Sequence, residues 1–365
     1  MTSYWGNHIH LSIFGESHGA AIGAVLDGLP SGYEIDEEKI AREMDRRSSR
    51  GKNLATPRKE ADQVEIVSGY FNGRTTGTPL TGIIRNGNTR SKDYEKTKMK
   101  MRPGHADYTA FLRYGGFQDY RGGGHFSGRL TAPMVFAGAV ARQIVQQKKP
   151  DVMVGSRIVR IGQIEDKTVL SPKDYAGLRF EEPDFPVADS NLTEKMRQEI
   201  VEARAQKDSV GGIVEGYILN VPGGLGSPIF DNVESRLSSL LFSIPAVKGV
   251  AFGSGFEMSG MRGSEANDAF RVDEAGQIVT ATNHNGGING GITNGMPIVF
   301  RVAFKPTPSI AKQQQTVDLE KHENTALSIV GRHDPCIVLR ALPVVESAAA
   351  LCLLDLMTEA DGYRE

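Results

Sequence analysis

Arg332-His333-Asp334-Pro335-Cys336 sets a cation, an imidazole and a carboxylate in consecutive positions directly before an apolar segment. Proline keeps the local backbone from closing into a helix around them. Charged groups beside a core element are costly to desolvate unless they are paired or face a ligand. The triplet is therefore either a surface turn or part of a site. The same style recurs along the chain: five of the eight histidines (His18, His105, His125, His284 and His333) lie in glycine-dense strings. Singly each fits a structural histidine; as a group they suggest a shared site, because imidazole both transfers protons and binds anions near neutral pH.

Gly15-Glu16-Ser17-His18-Gly19 follows an apolar run and matches G-x-S-x-G, the nucleophile elbow of α/β-hydrolases. An elbow must lead into a helix, whereas residues 20–28 read as another strand. A serine hydrolase using Ser17 is thus the minor enzymatic alternative. Arg46, Arg47, Arg50, Lys52, Arg58 and Lys59 put six cations into fourteen residues. They suit either a helix C-terminus, which favours cations, or the grip of phosphate and carboxylate. No aromatic residues interleave with them as a nucleic-acid stacking platform requires.

Arg102–Tyr108 and Asp119–Arg129 form a further pair of loops, the second feeding a helix near Ala132, where backbone N–H groups can bind anions. No P-loop string and no strand–GxGxxG–helix unit occurs. Asn283–Gly295 is nearly bare of side chains, which fits hairpin turns or a backbone surface against a flat ligand. Lys305-Pro306-Thr307-Pro308-Ser309 offers a cation and two hydroxyls on a stiff loop. No HExxH and no spaced Cys/His set suggests a metal.

The elements that must position these residues alternate between helix and strand periodicity. Helices are expected at 37–47 capped by Asp36, from Pro133 to about Gln147, after Ser171-Pro172, at 194–208, after an Asp231 cap, and at 342–357, where the buried Glu346 needs a partner. Strands are expected at 9–14, 20–27, 63–71, 79–86, 152–162, 211–221, 247–253 and 297–304. The polar passage 305–325 reads as an excursion from a sheet. No linker composition divides residues 1–365, so the expectation is one large α+β domain with long functional loops.

Hydrophobic content of 39%, charged content of 24% and a net charge of -2 are those of a globular protein without a general nucleic-acid or membrane-surface field. Two cysteines without metal spacing suit a reducing, cytoplasmic setting. The N-terminus lacks a signal-peptide pattern, and the apolar stretch 342–357 reads as too short to span a bilayer. A non-enzymatic phospholigand- or RNA-binding protein is the remaining alternative.

Taken together, Gly15–Gly19 with Asp27-Gly28, Gly122–Arg129 with Thr131, and Arg332–Cys336 through Glu346 resemble the three signature regions of the chorismate synthase family. Asp45-Arg46-Arg47, Arg102–Tyr108, Ser243–Gly249, Asn283–Gly295 and Lys305–Ser309 extend the likeness over nearly the whole chain. The resemblance implies a β-α-β sandwich, usually a homotetramer, and a lyase that eliminates phosphate from 5-enolpyruvylshikimate 3-phosphate to give chorismate, the last common step toward aromatic amino acids. It implies reduced FMN as cofactor without net redox change. It assigns His105 to acid assistance at the phosphate, His18 to protonating reduced flavin, Asp334 to the base acting through the flavin, and Ser17 and Ser127 to supporting proton movement. Arg47, Arg129 and Arg332 would bind substrate anions, together with His18 and His105. The cofactor would meet His125, Phe126, Ser127, Pro245, Ala246, Gly290, Lys305, Pro306, Thr307, Pro308, Ser309 and Arg332, with an NADP-type contact at Arg47 and Asn53. Ser48 and Asn53 stand where many relatives are basic, with Arg50 and Lys52 nearby as compensation, and His125 stands where arginine is common. With no NAD(P)H fingerprint, NADPH is expected to act through an external flavin reductase.

Overall fold

The computed structural model describes residues 4–48, 62–87, 95, 98–329 and 334–364, with the side chains of residues 176, 363 and 364 left aside. Arg50, Lys52, Asn53, Arg58, Lys59, Arg332 and His333 lie outside the described residues.

Two antiparallel sheets enclose a layer of helices. The first runs in the order Tyr4–Trp5, His10–Gly15, Ala21–Asp27, Leu80–Arg85, Val64–Ser68. The second runs Val247–Phe252, Ile298–Phe304, Gly212–Leu219, Met153–Ile161, Ile164–Glu165. All eight expected strands are present. Helix Thr131–Lys148 packs on the first sheet and helix Val338–Arg364 on the second, and the two helices pack closely on each other. A Cβ on Gly138 would lie 2.2 Å from Ser347 Cβ, so only glycine permits this approach. The result is the expected α+β, β-α-β sandwich, with one continuous apolar core running through all three layers.

Local chemistry explains the helix ends. Asp36 accepts from the N–H groups of Glu38 and Lys39 and starts helix Glu37–Arg47, which buries Ile40, Met44 and Arg47 on one face. That periodicity carries Arg47 inward while Arg46 turns toward the C-terminal helix. Helix Val233–Ser243 is capped by Asn232, whose side chain accepts from Ser235 N–H; Asp231 lies one residue too early to reach that amide. Helix Thr193–Ala205 stops short of 208 because Lys207 adopts a left-handed conformation, φ 59°.

Two further expectations are corrected. The passage 305–325 contains a separate hairpin, Gln314–Asp318 with Glu323–Leu327, whose polar alternation hid it. It braces the segment entering Arg102, through Met101 N–H to Val317 O (3.2 Å) and Leu319 N–H to Met99 O (2.9 Å). The C-terminal helix is also longer than 342–357. Its segment Val338–Gly362 is long and apolar enough to cross a membrane, but its most apolar window is 94% buried inside the fold, so it serves as a core helix.

Glu346 on this helix has the partners its burial demands. Arg46 donates to both carboxylate oxygens (2.6 and 2.8 Å), Arg142 to Oε2 (2.8 Å) and Ser156 to Oε1 (2.7 Å). Burial alone would push its pKa up; Arg46 and then Arg142 outweigh it and hold the group at about 2.

Candidate active site

Ser17 and His18 sit on the loop joining strands His10–Gly15 and Ala21–Asp27. The side-chain amide of Asn86 clamps it by donating to Glu16 O (3.1 Å) and Gly19 O (2.9 Å), and Ser17 N–H donates to Gly124 O (3.0 Å). A strand, not a helix, follows, as its composition indicated, and a nucleophile elbow requires the helix. Ser17 is 1% exposed, and its Oγ has no hydrogen-bond partner among the described residues.

The glycine loop Arg121–Phe126 faces this turn. Gly122 and Gly123 hold φ values of 60° and 86°, which a side chain would strain. A Cβ on Gly122 would lie 2.1 Å from the His18 ring, and one on Gly123 would lie 3.0 Å from the His105 ring. Neighbouring glycines thus seat the two imidazoles against one backbone turn. Beside them, Asp119 accepts from Arg121 Nε (2.9 Å) and Nη2 (2.8 Å); these bonds hold its carboxyl below the usual range.

His105 lies in the segment leading into helix Asp107–Tyr114, with Nδ1 2.8 Å from Asp107 Oδ1. The ring is turned so that its N–H falls off the line of a full hydrogen bond, although the separation is that of one. Asp107 also accepts from Arg102 Nη2 (2.6 Å) and Nε (2.7 Å). Burial raises its carboxyl, but His105 and Arg102 overcome this and keep it well below the ordinary range.

Arg47 and Arg129 are both buried and both bound to Asp62. Arg47 Nη1 lies 2.7 Å from Oδ2, and Arg129 Nη1 binds Oδ1. Arg47 also donates to Thr131 Oγ1 (2.9 Å) and Gly128 O (3.0 Å). Desolvation works against an ionised Asp62, yet Arg47 and Arg129 hold its carboxyl low. Arg340, from the C-terminal helix, donates to Asp334 Oδ2 (2.6 Å) and to the backbone carbonyl of Arg47 (3.1 Å). Asp334 is therefore ion-paired beside the arginine cluster.

His125, Phe126 and Ser127 continue the glycine loop. A carbonyl only accepts, so His125 Nδ1, 2.8 Å from Gly15 O, carries its proton in this arrangement. Ser127 Oγ accepts from Arg129 N–H (3.2 Å). Across from them, Lys305 N–H donates to Ala246 O (3.0 Å), and Lys305 Nζ donates to Gly104 O. Ala246 itself has φ 74°. Thr307 Oγ1 is buried without a partner among the described residues, and Ser309 Oγ receives Arg102 Nη1 at 3.5 Å.

These groups line one cavity of about 2190 Å³. His18, His105, Arg47, Arg129 and Asp334 share it with His125 to Ser127, Pro245-Ala246, Lys305 and Thr307 to Ser309. Ser17 lies just behind its wall. Gly290 and Pro306 are exposed and do not line it. Gly290 belongs to the turn of hairpin Ile288–Asn289/Ile292–Thr293, so the bare 283–295 segment is a set of turns rather than a wall of this cavity. His284 instead meets Ser254 Oγ (2.9 Å), away from the cavity, so the histidine grouping is narrower than expected.

Sequence reasoning assigned no role to Asp62, Asp107 or Arg340. Asp107 stood two residues from His105, the nearest thing to a signal. Asp62 meets Arg129, and Arg340 the Arg47 carbonyl, only through the fold, whereas Asp334 stands six residues before Arg340.

Residues 9–358 match the family model described as chorismate synthase. Among similar proteins, chorismate synthase of Korarchaeum cryptofilum is 49% identical over 352 residues, covering 96% of both chains. That of Dehalococcoides mccartyi is 47% identical over 360 residues, covering 99% of this chain and 98% of its own. A crystal structure of chorismate synthase superposes with a TM-score of 0.74 at 31% identity, covering 97% of this chain and 93% of that one. Sequence, fold and relatives agree: the chain belongs to the chorismate synthase family.

Proposed function

We propose that this protein is a lyase converting 5-enolpyruvylshikimate 3-phosphate to chorismate by 1,4-elimination of phosphate. The observation that carries the reading is the seating of His18 and His105 on one glycine turn, in a cavity that also holds Arg47, Arg129 and Asp334. The substrate has a phosphate and two carboxylates. Guanidiniums grip phosphate and carboxylate in bidentate fashion, which suits these cavity arginines to such an anion in an otherwise near-neutral protein. His105 delivers a proton to the departing phosphate oxygen, where negative charge develops. Asp334 takes up the proton lost from carbon, held in place by Arg340. Ser17 and Ser127 support proton movement along the His18 and Arg129 sides.

The wall fits a flavin phosphate and ring. Thr307 Oγ1 is an unmet buried hydroxyl, Lys305 and Ser309 flank it, and Phe126 is an apolar ring at the cavity surface. His125, Phe126, Ser127, Pro245, Ala246, Lys305, Thr307, Pro308 and Ser309 would hold FMN, with His18 keeping a proton toward it. Reduced FMN, when bound, supplies electron density for breaking the unactivated C–H bond and returns without net oxidation. Arg332 is assigned to both ligands by resemblance, as are Gly290 and Pro306 to the cofactor and the NADP-type contact to Arg47 and Asn53. We further infer one catalytic domain, a cytoplasmic homotetramer and an external NADPH-dependent flavin reductase; turnover with NADPH alone would overturn the last.

Anaerobic incubation with the substrate and photoreduced FMN tests the function. Chorismate is the expected product. Folded protein that forms none, with Ser17 instead labelled by a fluorophosphonate, would return the reading to a hydrolase.

A further inference from the structure

We propose that Asp107 is a positioning residue that fixes the proton of the neutral His105 ring on Nδ1, leaving Nε2 as the nitrogen that exchanges a proton with the substrate. The assignment of His105 as the acid rests on the reaction proposed above; the tautomer itself rests on geometry.

Oδ1 of Asp107 lies 2.8 Å from Nδ1 of His105, with the N–H off the line of a full hydrogen bond. A carboxylate only accepts, so an Nδ1 lone pair at that separation would face lone pairs and be repelled, which places the proton on Nδ1. The carboxylate is itself immobilised. Arg102 donates to it from Nη2 (2.6 Å), from Nε (2.7 Å) and from its backbone N–H (3.1 Å). It also occupies the first residue of helix Asp107–Tyr114, where negative charge is favoured. Against the effect of burial, His105 and the Arg102 guanidinium depress the Asp107 carboxyl, in agreement with an acceptor that stays ionised. On the far side, the Gly123 backbone fences Cε1 and Nε2, at 3.0 and 3.1 Å from where a Cβ would stand. The other cation at this segment, Lys305, is bound to Gly104 O.

The step balances without proton transfer to Asp107. The Nε2–H bond of the imidazolium breaks, its electron pair stays on Nε2, and an O–H bond forms on the leaving phosphate. The ring that remains is the Nδ1–H tautomer. Such orientation by a third group is how carboxylate–imidazole pairs work in general.

The test is ¹⁵N NMR of histidine-labelled protein under conditions where the ring is neutral, with the His105 signals assigned by their loss in His105→Gln. The wild type should show the Nδ1–H pattern, and Asp107→Ala should move toward Nε2–H. In the anaerobic assay Asp107→Ala should lose kcat by about 10²-fold, the scale of general acid catalysis, with KM within about twofold. If Asp107→Ala does not fold, isosteric Asp107→Asn should still weaken the Nδ1–H preference and lower kcat. An Nε2–H wild type, or a folded variant keeping the wild-type tautomer and kcat, overturns the proposal. Wild-type protein with the Nδ1–H ring that forms no chorismate would retire the reaction and leave the tautomer standing.

Discussion

Arg47 and Arg129 bind opposite oxygens of one buried carboxylate, Asp62. Two guanidiniums arriving from different elements are thereby held at a fixed separation. Truncating Asp62 to alanine removes the carboxylate between these two buried cations. Breaking such a pair costs about 3–5 kcal/mol, readable as a lower urea midpoint. KM for the phosphorylated substrate should rise about tenfold, equivalent to one displaced charge-assisted contact. Unchanged stability and KM would show that the carboxylate does not organise the pair.

Gly122→Ala places a methyl where the His18 ring stands, 2.1 Å away, on a left-handed backbone. His18 must move by an ångström or more, and displacement on that scale costs about 10²-fold in turnover. The protein should still fold, losing about 1 kcal/mol to backbone strain. Comparing kcat with the melting temperature separates the two effects; full activity would mean that the seat is not needed.

His105→Ala and Asp334→Ala should each lower turnover at least about 10²-fold, the range of lost acid–base catalysis. Flavin affinity, followed by fluorescence titration, should be retained because neither is assigned to the cofactor. Near wild-type turnover in both variants contradicts the role assignment.

Away from the cavity, Glu346 makes a prediction about pH. Its pKa is depressed from an ordinary 4.5 to about 2 in the folded protein. A depressed carboxyl contributes stability that is fully present above its unfolded value and lost as pH falls through the folded one. The loss should therefore run from about pH 4.5 down to about pH 2. Glu346→Ala should destabilise by about 3 kcal/mol, the lower end for a broken buried pair, because Arg46 is partly exposed and regains solvent. It should also flatten that acid limb in denaturation measured against pH. An unaltered limb would place the acid sensitivity elsewhere.

The legible parts of the sequence were those governed by local rules. Ile40 and Met44 marked the inner face of helix Glu37–Arg47, and Asp36 marked its start. The strand after Gly19 was visible in its composition, which excluded the elbow. Glu346 announced that it needed partners, but not that Arg46 and Arg142 would supply them, since those contacts join residues 300 and 204 positions apart. Asp62 and Arg340 were missed because each joins segments that the fold brings together, Asp62 with Arg129 and Arg340 with the Arg47 carbonyl; only the Arg340–Asp334 pair is local in sequence. The hairpin Gln314–Asp318/Glu323–Leu327 was missed because its polar strands lie outside the two main sheets and lack an apolar alternation. The glycine string 283–295 fitted either hairpin turns or a ligand surface, and its glycines serve turns, as left-handed φ at Gly290 and Gly291 requires.

The central claim is that one cavity combines anion-binding arginines, two seated imidazoles and a base for a phosphate elimination without net redox change. Its most direct test is an anaerobic time course with 5-enolpyruvylshikimate 3-phosphate and catalytic photoreduced FMN, following chorismate, inorganic phosphate and flavin oxidation state together. The expected result is chorismate and phosphate rising in equal amounts over many turnovers while the flavin stays reduced. Phosphate release without chorismate, or flavin oxidised in step with product, would contradict the account.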